Sequence, residues 1–250
     1  MFSTGKMKKI IVVKIGRSIA TTDNDVVDIH RFDLLAKQIK KIQRKSMGVI
    51  LVISGSVTTG RKILGTNTTP ISKNLYAAVG QSHITSGLFL TLNQNSIPMG
   101  QMLLTKSDLK SKDKIEQIRK VIFEAVNKNV VMVLNENDTV DLGSFSGNDF
   151  LATKIAKLIK ANVLVLLTDV EGIYNKKMVV IEQFRKQDMG NIAEIKKVNS
   201  KGAVGGIRAK IRAAIDASNA GVKTIIASGK EKNVLLRILI KRESLGTKIL

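Results

Sequence analysis

Apolar, β-prone runs in this chain end again and again in residues that could hold a polar ligand. Ile10–Val13 leads into Lys14, Ile15 and Gly16, and Val49–Ile53 into Ser54, Gly55 and Ser56. Val130–Leu134 leads into Asn135, Glu136, Asn137 and Asp138, Val163–Leu167 into Thr168 and Asp169, and Val222–Ala227 into Ser228 and Gly229. Lysine supplies a cation, and glycine lets the backbone approach a ligand closely. A helix that starts beyond such a turn presents free N–H groups to phosphate. Taken singly, each of these is an ordinary turn or helix cap. Their convergence on one sheet edge points to a phosphate-handling or nucleotide-binding site. The glycine-rich stretch Gly202–Lys210 (GAVGGIRAK) precedes a helical pattern and carries a lysine in its first turn. A second phosphate cradle and a plain flexible loop fit it equally. The P-loop signature is absent, and no dinucleotide fingerprint follows a strand.

The runs that carry these residues are mostly β-branched and lack polar alternation, the pattern of parallel strands covered on both faces. Ile97–Leu104 is a further candidate strand. Between the runs lie helical faces: Phe32, Leu35, Ile39 and Ile42 on one, Ile115, Ile118, Ile122 and Ala125 on a second, and Ile207, Ile211 and Ile215 on a third. Strand–helix alternation predicts an α/β fold with a mainly parallel sheet between two helical layers, whose ligands bind at the carboxyl ends of the strands. Tyr174–Ser200 fits this alternation less well. Lys177–Phe184 (KMVVIEQF) reads as a hairpin strand and the remainder as an insertion or lid.

Composition narrows the function classes. With 250 residues, 44% hydrophobic and 24% charged, the chain can bury a sizeable core. No apolar run approaches the roughly 20 residues of a transmembrane helix, and the N-terminal apolar stretch is too short for a signal peptide. The absence of cysteine rules out a disulfide framework and thiolate metal sites; a cytoplasmic location is expected. The net charge of +21 is spread over scattered lysines, and aromatics are only 4%, so base-stacking platforms are scarce. Nucleic acid is therefore not an expected partner, whereas the field favours an anionic nucleotide. His30 and His83 read as a surface residue and a helix residue without a catalytic role.

The strings VVKIGRS, VISGSVTTGRKILG, AAVGQS, GQMLLT, VLNENDTV, SGNDFLATKIA, LLTDVEGIY and GGIRAK occur in this order between about Lys9 and Ala227. Together they resemble the glutamate 5-kinases of the amino acid kinase superfamily. The resemblance implies a three-layer αβα sandwich, here a single domain over residues 1–250, and transfer of the ATP γ-phosphoryl group to the glutamate side-chain carboxylate. The product is γ-glutamyl phosphate, the first step toward proline. Mg²⁺ accompanies ATP, held mainly by the nucleotide phosphates. Many members add a C-terminal domain of the PUA class, for which this chain is too short. Homo-oligomers are expected.

Carried over by the same resemblance, Lys14 contacts the transferring group, Lys210 lies near the nucleotide phosphates, and Asp149 orients both. Ser54, Gly55, Asp138 and Asn148 fall at glutamate-binding positions. Gly16, Thr168, Asp169 and the loop Val204, Gly205, Gly206, Ile207, Arg208, Ala209, Lys210 fall at the nucleotide site. This chain departs from the family pattern at Arg17, where a small hydroxyl residue is usual, and at Gly147, where an acid is usual. Its nucleotide loop also lacks two threonines. A superfamily kinase with another acceptor (a carbamate, a nucleoside monophosphate or another acid) is the alternative enzyme. A degenerate kinase fold serving as a nucleotide-binding or basic interaction module is the non-enzyme alternative.

Overall fold

The computed structural model describes residues 8–65, 70–193 and 206–250. The chain opens with β1 (Lys9–Ile15), a single turn α1 (Arg17–Ala20) and α2 (Ile29–Gln43). Then come β2 (Met47–Ile53), α3 (Ser56–Leu64), α4 (Lys73–Gln94), β3 (Met99–Leu104), α5 (Lys112–Asn127) and β4 (Val131–Glu136). The second half holds α6 (Asn148–Leu158), β5 (Val163–Thr168), β6 (Gln183–Phe184), α7 (Gly206–Asn219), β7 (Lys223–Ser228), the short α8 (Val234–Leu236) and β8 (Thr247–Ile249).

The strands form one eight-stranded sheet in the order β3-β4-β2-β1-β5-β7-β8-β6. From β3 to β7 neighbouring strands are parallel. β8 runs antiparallel to β7, and β6 pairs parallel with β8. The mainly parallel sheet read from the apolar runs is thus observed, with a reversed margin that those runs did not announce. β4 also continues two residues past Leu134, because Asn135 and Glu136 pair with Leu103 and Leu104.

Strand periodicity divides the core in two. On β1, Ile10 and Val12 pack with Leu151, Ala152 and Ile155 of α6 and Ile211 and Ala214 of α7. Ile11, Val13 and Ile15 point the other way, onto Phe32, Leu35 and Ile39 of α2 and Ile84 and Leu88 of α4. Alternate residues of a strand face opposite sides. Lys14 therefore belongs to the face of Ile10 and Val12, beneath α6 and α7.

The region after β5 is partly regular. Tyr174 bridges antiparallel to Val180, as a hairpin in Lys177–Phe184 requires, and Gln183–Phe184 joins the sheet margin. A 3-10 turn follows at Lys186–Asn191. The expected insertion or lid extends past Ala193 into residues that lie outside the described ones.

Candidate active site

Strand order reverses its sense between β1 and β5: the chain proceeds to one side through β2 and to the other through β5. Such a switch point opens a crevice at the carboxyl ends of the strands. Lys14 stands there, in register with Val52 of β2 and Leu166 of β5. The turn after it is held by Gly16, whose amide donates to the Leu167 carbonyl at 3.2 Å. A Cβ at Gly16 would lie 3.0 Å from that carbonyl oxygen, so a side chain there would press on the close approach of the two strand ends.

Three charged side chains meet beneath α6 and α7. Asp149, in the first turn of α6, places Oδ1 2.8 Å from Lys14 Nζ. Lys210 Nζ, from α7, donates to both Asp149 carboxylate oxygens at 2.9 Å. Lys14 and Lys210 are only 6% and 8% exposed. Burial alone would raise the Asp149 carboxyl, but the two ammonium groups overcome it and hold Asp149 well below the usual carboxylate range. Its position at a helix N-terminus acts in the same direction. Burial and the neighbouring Lys14 ammonium push Lys210 down to about 8, against the pull of Asp149. Two ammoniums around one carboxylate leave net positive charge in a buried place, which an anionic ligand would neutralise.

The helices that begin at this edge are left open to a ligand. Gly55 caps α3 with φ +120°, and Gly147 caps α6 with φ +118°. Neither helix has a side-chain cap, whereas Ser72 and Ser111 cap α4 and α5 through their own hydroxyls. Both backbones adopt a conformation that side chains disfavour. The first amides of these two helices therefore have no capping side chain and can face an anion.

The other predicted residues are distributed around this centre. Ser54 and Gly55 form the turn after β2, and the Ser54 amide donates to the Ile15 carbonyl at 3.1 Å. Asn148 opens α6, and its Oδ1 accepts from the Glu136 amide at 3.3 Å. Asp138 lies in the loop between β4 and α6, where its Oδ1 accepts from the Gly143 amide at 2.9 Å. Burial, and next the Asp141 charge, raise its carboxyl above the usual value. Thr168 ends β5, and its hydroxyl donates to Asp169 Oδ1 at 3.2 Å. Gly206, Ile207, Arg208 and Ala209 make the first turn of α7 ahead of Lys210. Val204 and Gly205 lie outside the described residues. Arg17, the departure in the first loop, reaches Thr58 Oγ1 with Nη1 at 3.5 Å, so its charge lies over the first turn of α3. His30 and His83 are both exposed.

Three polar side chains at this edge, Gln81, Asn135 and Glu136, are buried in a way that the sequence reading did not assign. Asn135 Nδ2 donates to Gln81 Oε1 of α4 at 2.6 Å, both buried. Glu136, 4% exposed, accepts from the Phe145 amide at 3.2 Å. Burial raises its carboxyl to about 7, with the Asp138 and Asp141 charges adding to the rise and amide bonds from Phe145 and Gly147 opposing it. The string Asn135–Asp138 marked the place. Placing the end of β4 at Leu134 hid that Asn135 and Glu136 are strand residues with buried side chains.

An open, mainly parallel α/β sheet with a buried lysine–aspartate–lysine centre at its switch point defines a protein built to bind an anionic ligand. Residues 9–228 match the model of the amino acid kinase family, and the chain belongs to that family. It is 33% identical to a glutamate 5-kinase from a Marinomonas species, over 95% of this chain and 66% of the relative. The glutamate 5-kinase of Nitrosomonas eutropha is 35% identical over 96% of this chain and 67% of its own. That of Clostridium acetobutylicum is 32% identical, covering 95% of this chain and 92% of the relative. The chain thus spans about two thirds of the first two relatives and nearly all of the third. Among solved structures, carbamate kinase from Giardia superposes with a TM-score of 0.67 at 15% identity, covering 98% of this chain and 99% of that one. N-acetylglutamate synthase from Neisseria gonorrhoeae gives a TM-score of 0.71 at 17% identity, over 97% of this chain and 62% of that one. Both bear out the fold.

Proposed function

We propose that this chain transfers the γ-phosphoryl group of ATP to the side-chain carboxylate of glutamate, forming γ-glutamyl phosphate. The observation that carries the reading is the Asp149 carboxylate held between Lys14 and Lys210 at the switch point of the sheet. Phosphoryl transfer asks a protein mainly for alignment and for stabilisation of charge on the equatorial oxygens. Lys14 and Lys210 supply that charge, and Asp149 keeps both ammoniums aimed. The nucleophile is a carboxylate, already ionised at neutral pH, so no general base is needed. Exposed histidines are compatible with that chemistry.

Ser54, Gly55, Asp138 and Asn148 line the acceptor side, with Asp138 opposite the substrate ammonium. Gly16, Thr168, Asp169 and Gly206–Lys210 line the nucleotide side. A cavity of about 330 Å³, bounded by Ala227, Ser228, Val234 and Gly246, opens beyond the end of β7 and offers room for the base. Among the described residues no cluster of His, Cys, Asp or Glu could hold a metal ion. Mg²⁺ would be carried by the nucleotide phosphates and water, where it offsets phosphate charge. Also among the described residues, no helix is long and apolar enough to cross a membrane.

Incubation with MgATP, glutamate and hydroxylamine is expected to yield γ-glutamyl hydroxamate. Lys14→Ala should lower kcat by roughly 10²-fold or more with the fold retained, as loss of a transition-state donor does. ADP release that peaks with a different small acid would transfer the reading to another acceptor. No turnover with any acid would remove it.

A further inference from the structure

Between β4 and α6 the chain leaves the sheet at Glu136, forms a loop over residues 137–147, and returns at Gly147 to start α6. That loop carries Asp138, and the helix it leads to carries Asn148 and Asp149. Glu136 grips both ends. Its own amide donates to Asn148 Oδ1 at 3.3 Å, and its Oε2 accepts from the Phe145 amide at 3.2 Å. The Gly147 amide faces the same carboxyl group and favours its charged form. At the loop's outgoing end, Asn74 of α4 donates to the Asp138 carbonyl at 3.0 Å and the Thr139 carbonyl at 3.1 Å. The Asp138 carboxylate is meanwhile turned onto the Gly143 amide.

We propose that Glu136 is a positioning residue for the acceptor: its carboxylate draws the Phe145 amide, and its own amide the Asn148 side chain, onto the end of β4 and so fixes the spacing between Asp138 and Asn148. The inference rests on the reading of this edge as a glutamate site. A carboxylate in this place is otherwise hard to explain. It is buried, it faces the like charges of Asp138 and Asp141, and among the described residues no lysine or arginine pairs with it. Burying a carboxyl group on backbone donors alone is unfavourable unless those donors would otherwise be unsatisfied. The Phe145 amide that Glu136 satisfies belongs to the turn that leads the chain into α6. Glu136 touches the loop and not the transferring group, so its loss should loosen acceptor binding and leave the phosphoryl centre intact.

The test compares Glu136→Gln and Glu136→Ala with the unaltered chain by two readouts. The first is amide hydrogen exchange of residues 137–147, which needs no substrate. Alanine should speed exchange of the Phe145 amide about tenfold or more, with β1, β5 and the interior of α6 unchanged. Glutamine keeps an acceptor oxygen and should fall between the two. The second is steady-state kinetics. KM for glutamate should rise about tenfold in Glu136→Ala and less in Glu136→Gln, while KM for MgATP and kcat stay within about twofold. Unchanged loop exchange in both variants overturns the proposal, as does a fall in kcat with an unaltered glutamate KM. If the unaltered chain phosphorylates no glutamate, the functional reading fails instead, and the exchange result alone decides whether Glu136 holds the loop.

Discussion

Lys210 is the most sensitive of the charged groups at the switch point. With its ammonium pushed down to about 8, it begins to lose its proton just above neutrality when the site is empty. The protonated form supplies the charge that an incoming phosphate needs, so activity must be lost as pH rises, not as it falls. The kcat/KM for MgATP reports free-enzyme groups. It is expected to be level near neutral pH and to drop about tenfold per pH unit above about 8. Lys210→Arg, whose guanidinium stays charged, should lose that alkaline limb even if its overall rate is lower. A profile that stays level well above pH 8 in the unaltered chain would contradict this role. Lys14 and Lys210 were legible because nearby glycines marked them in the sequence, whereas Asp149 was reached only through the family resemblance. Glu136 was not. A glutamate at the end of a strand reads as exposed until the strand is seen to continue and the loop to fold back over it.

Among the elements, the strands were the most legible, since β-branched runs without polar alternation have few other uses. α4 carried no such signal. Its apolar residues are spread around the helix, from buried Ile84 and Leu88 to half-exposed Leu75, Phe89 and Leu90, so no single stripe stands out. What fixes α4 is close contact with α3. A Cβ on Gly80 would lie 1.8 Å from the Ser56 carbonyl oxygen, and one on Gly60 would lie 1.8 Å from that of Tyr76. The two backbones meet where each offers glycine to the other, directly behind the Ser54–Gly55 turn. Gly80→Ala must therefore push α3 outward. Overpacking of this kind costs about 1–3 kcal/mol, and the melting temperature is expected to fall by roughly 5 °C. Because the displaced helix starts at the acceptor turn, KM for glutamate should rise with it. A variant as stable as the parent would refute the contact.

At the scale of the molecule, the chain carries a net charge of +21. Such a field raises the local concentration of a nucleotide and is screened over about 10 Å at 0.1 M salt. KM for MgATP should increase severalfold as salt rises from about 0.02 M to 0.3 M, with kcat at saturation little changed. A KM indifferent to salt would assign the charge to solubility alone. The alternating architecture was readable at this scale, but the reversed margin was not, because Thr247–Ile249 is too short to show a period. That margin has a consequence in time as well as in space. β6 has β8 as its neighbour in the sheet, and β8 in turn leans on β7, which follows α7 in the chain. Gln183 and Phe184 therefore cannot be recruited when β5 forms; they must wait until the chain has passed through α7 and β7 and turned back. Pairings that close long loops come slowly. The sheet margin made by Gln183–Phe184 and Thr247–Ile249 is thus the part of the sheet completed last on the way to the folded state.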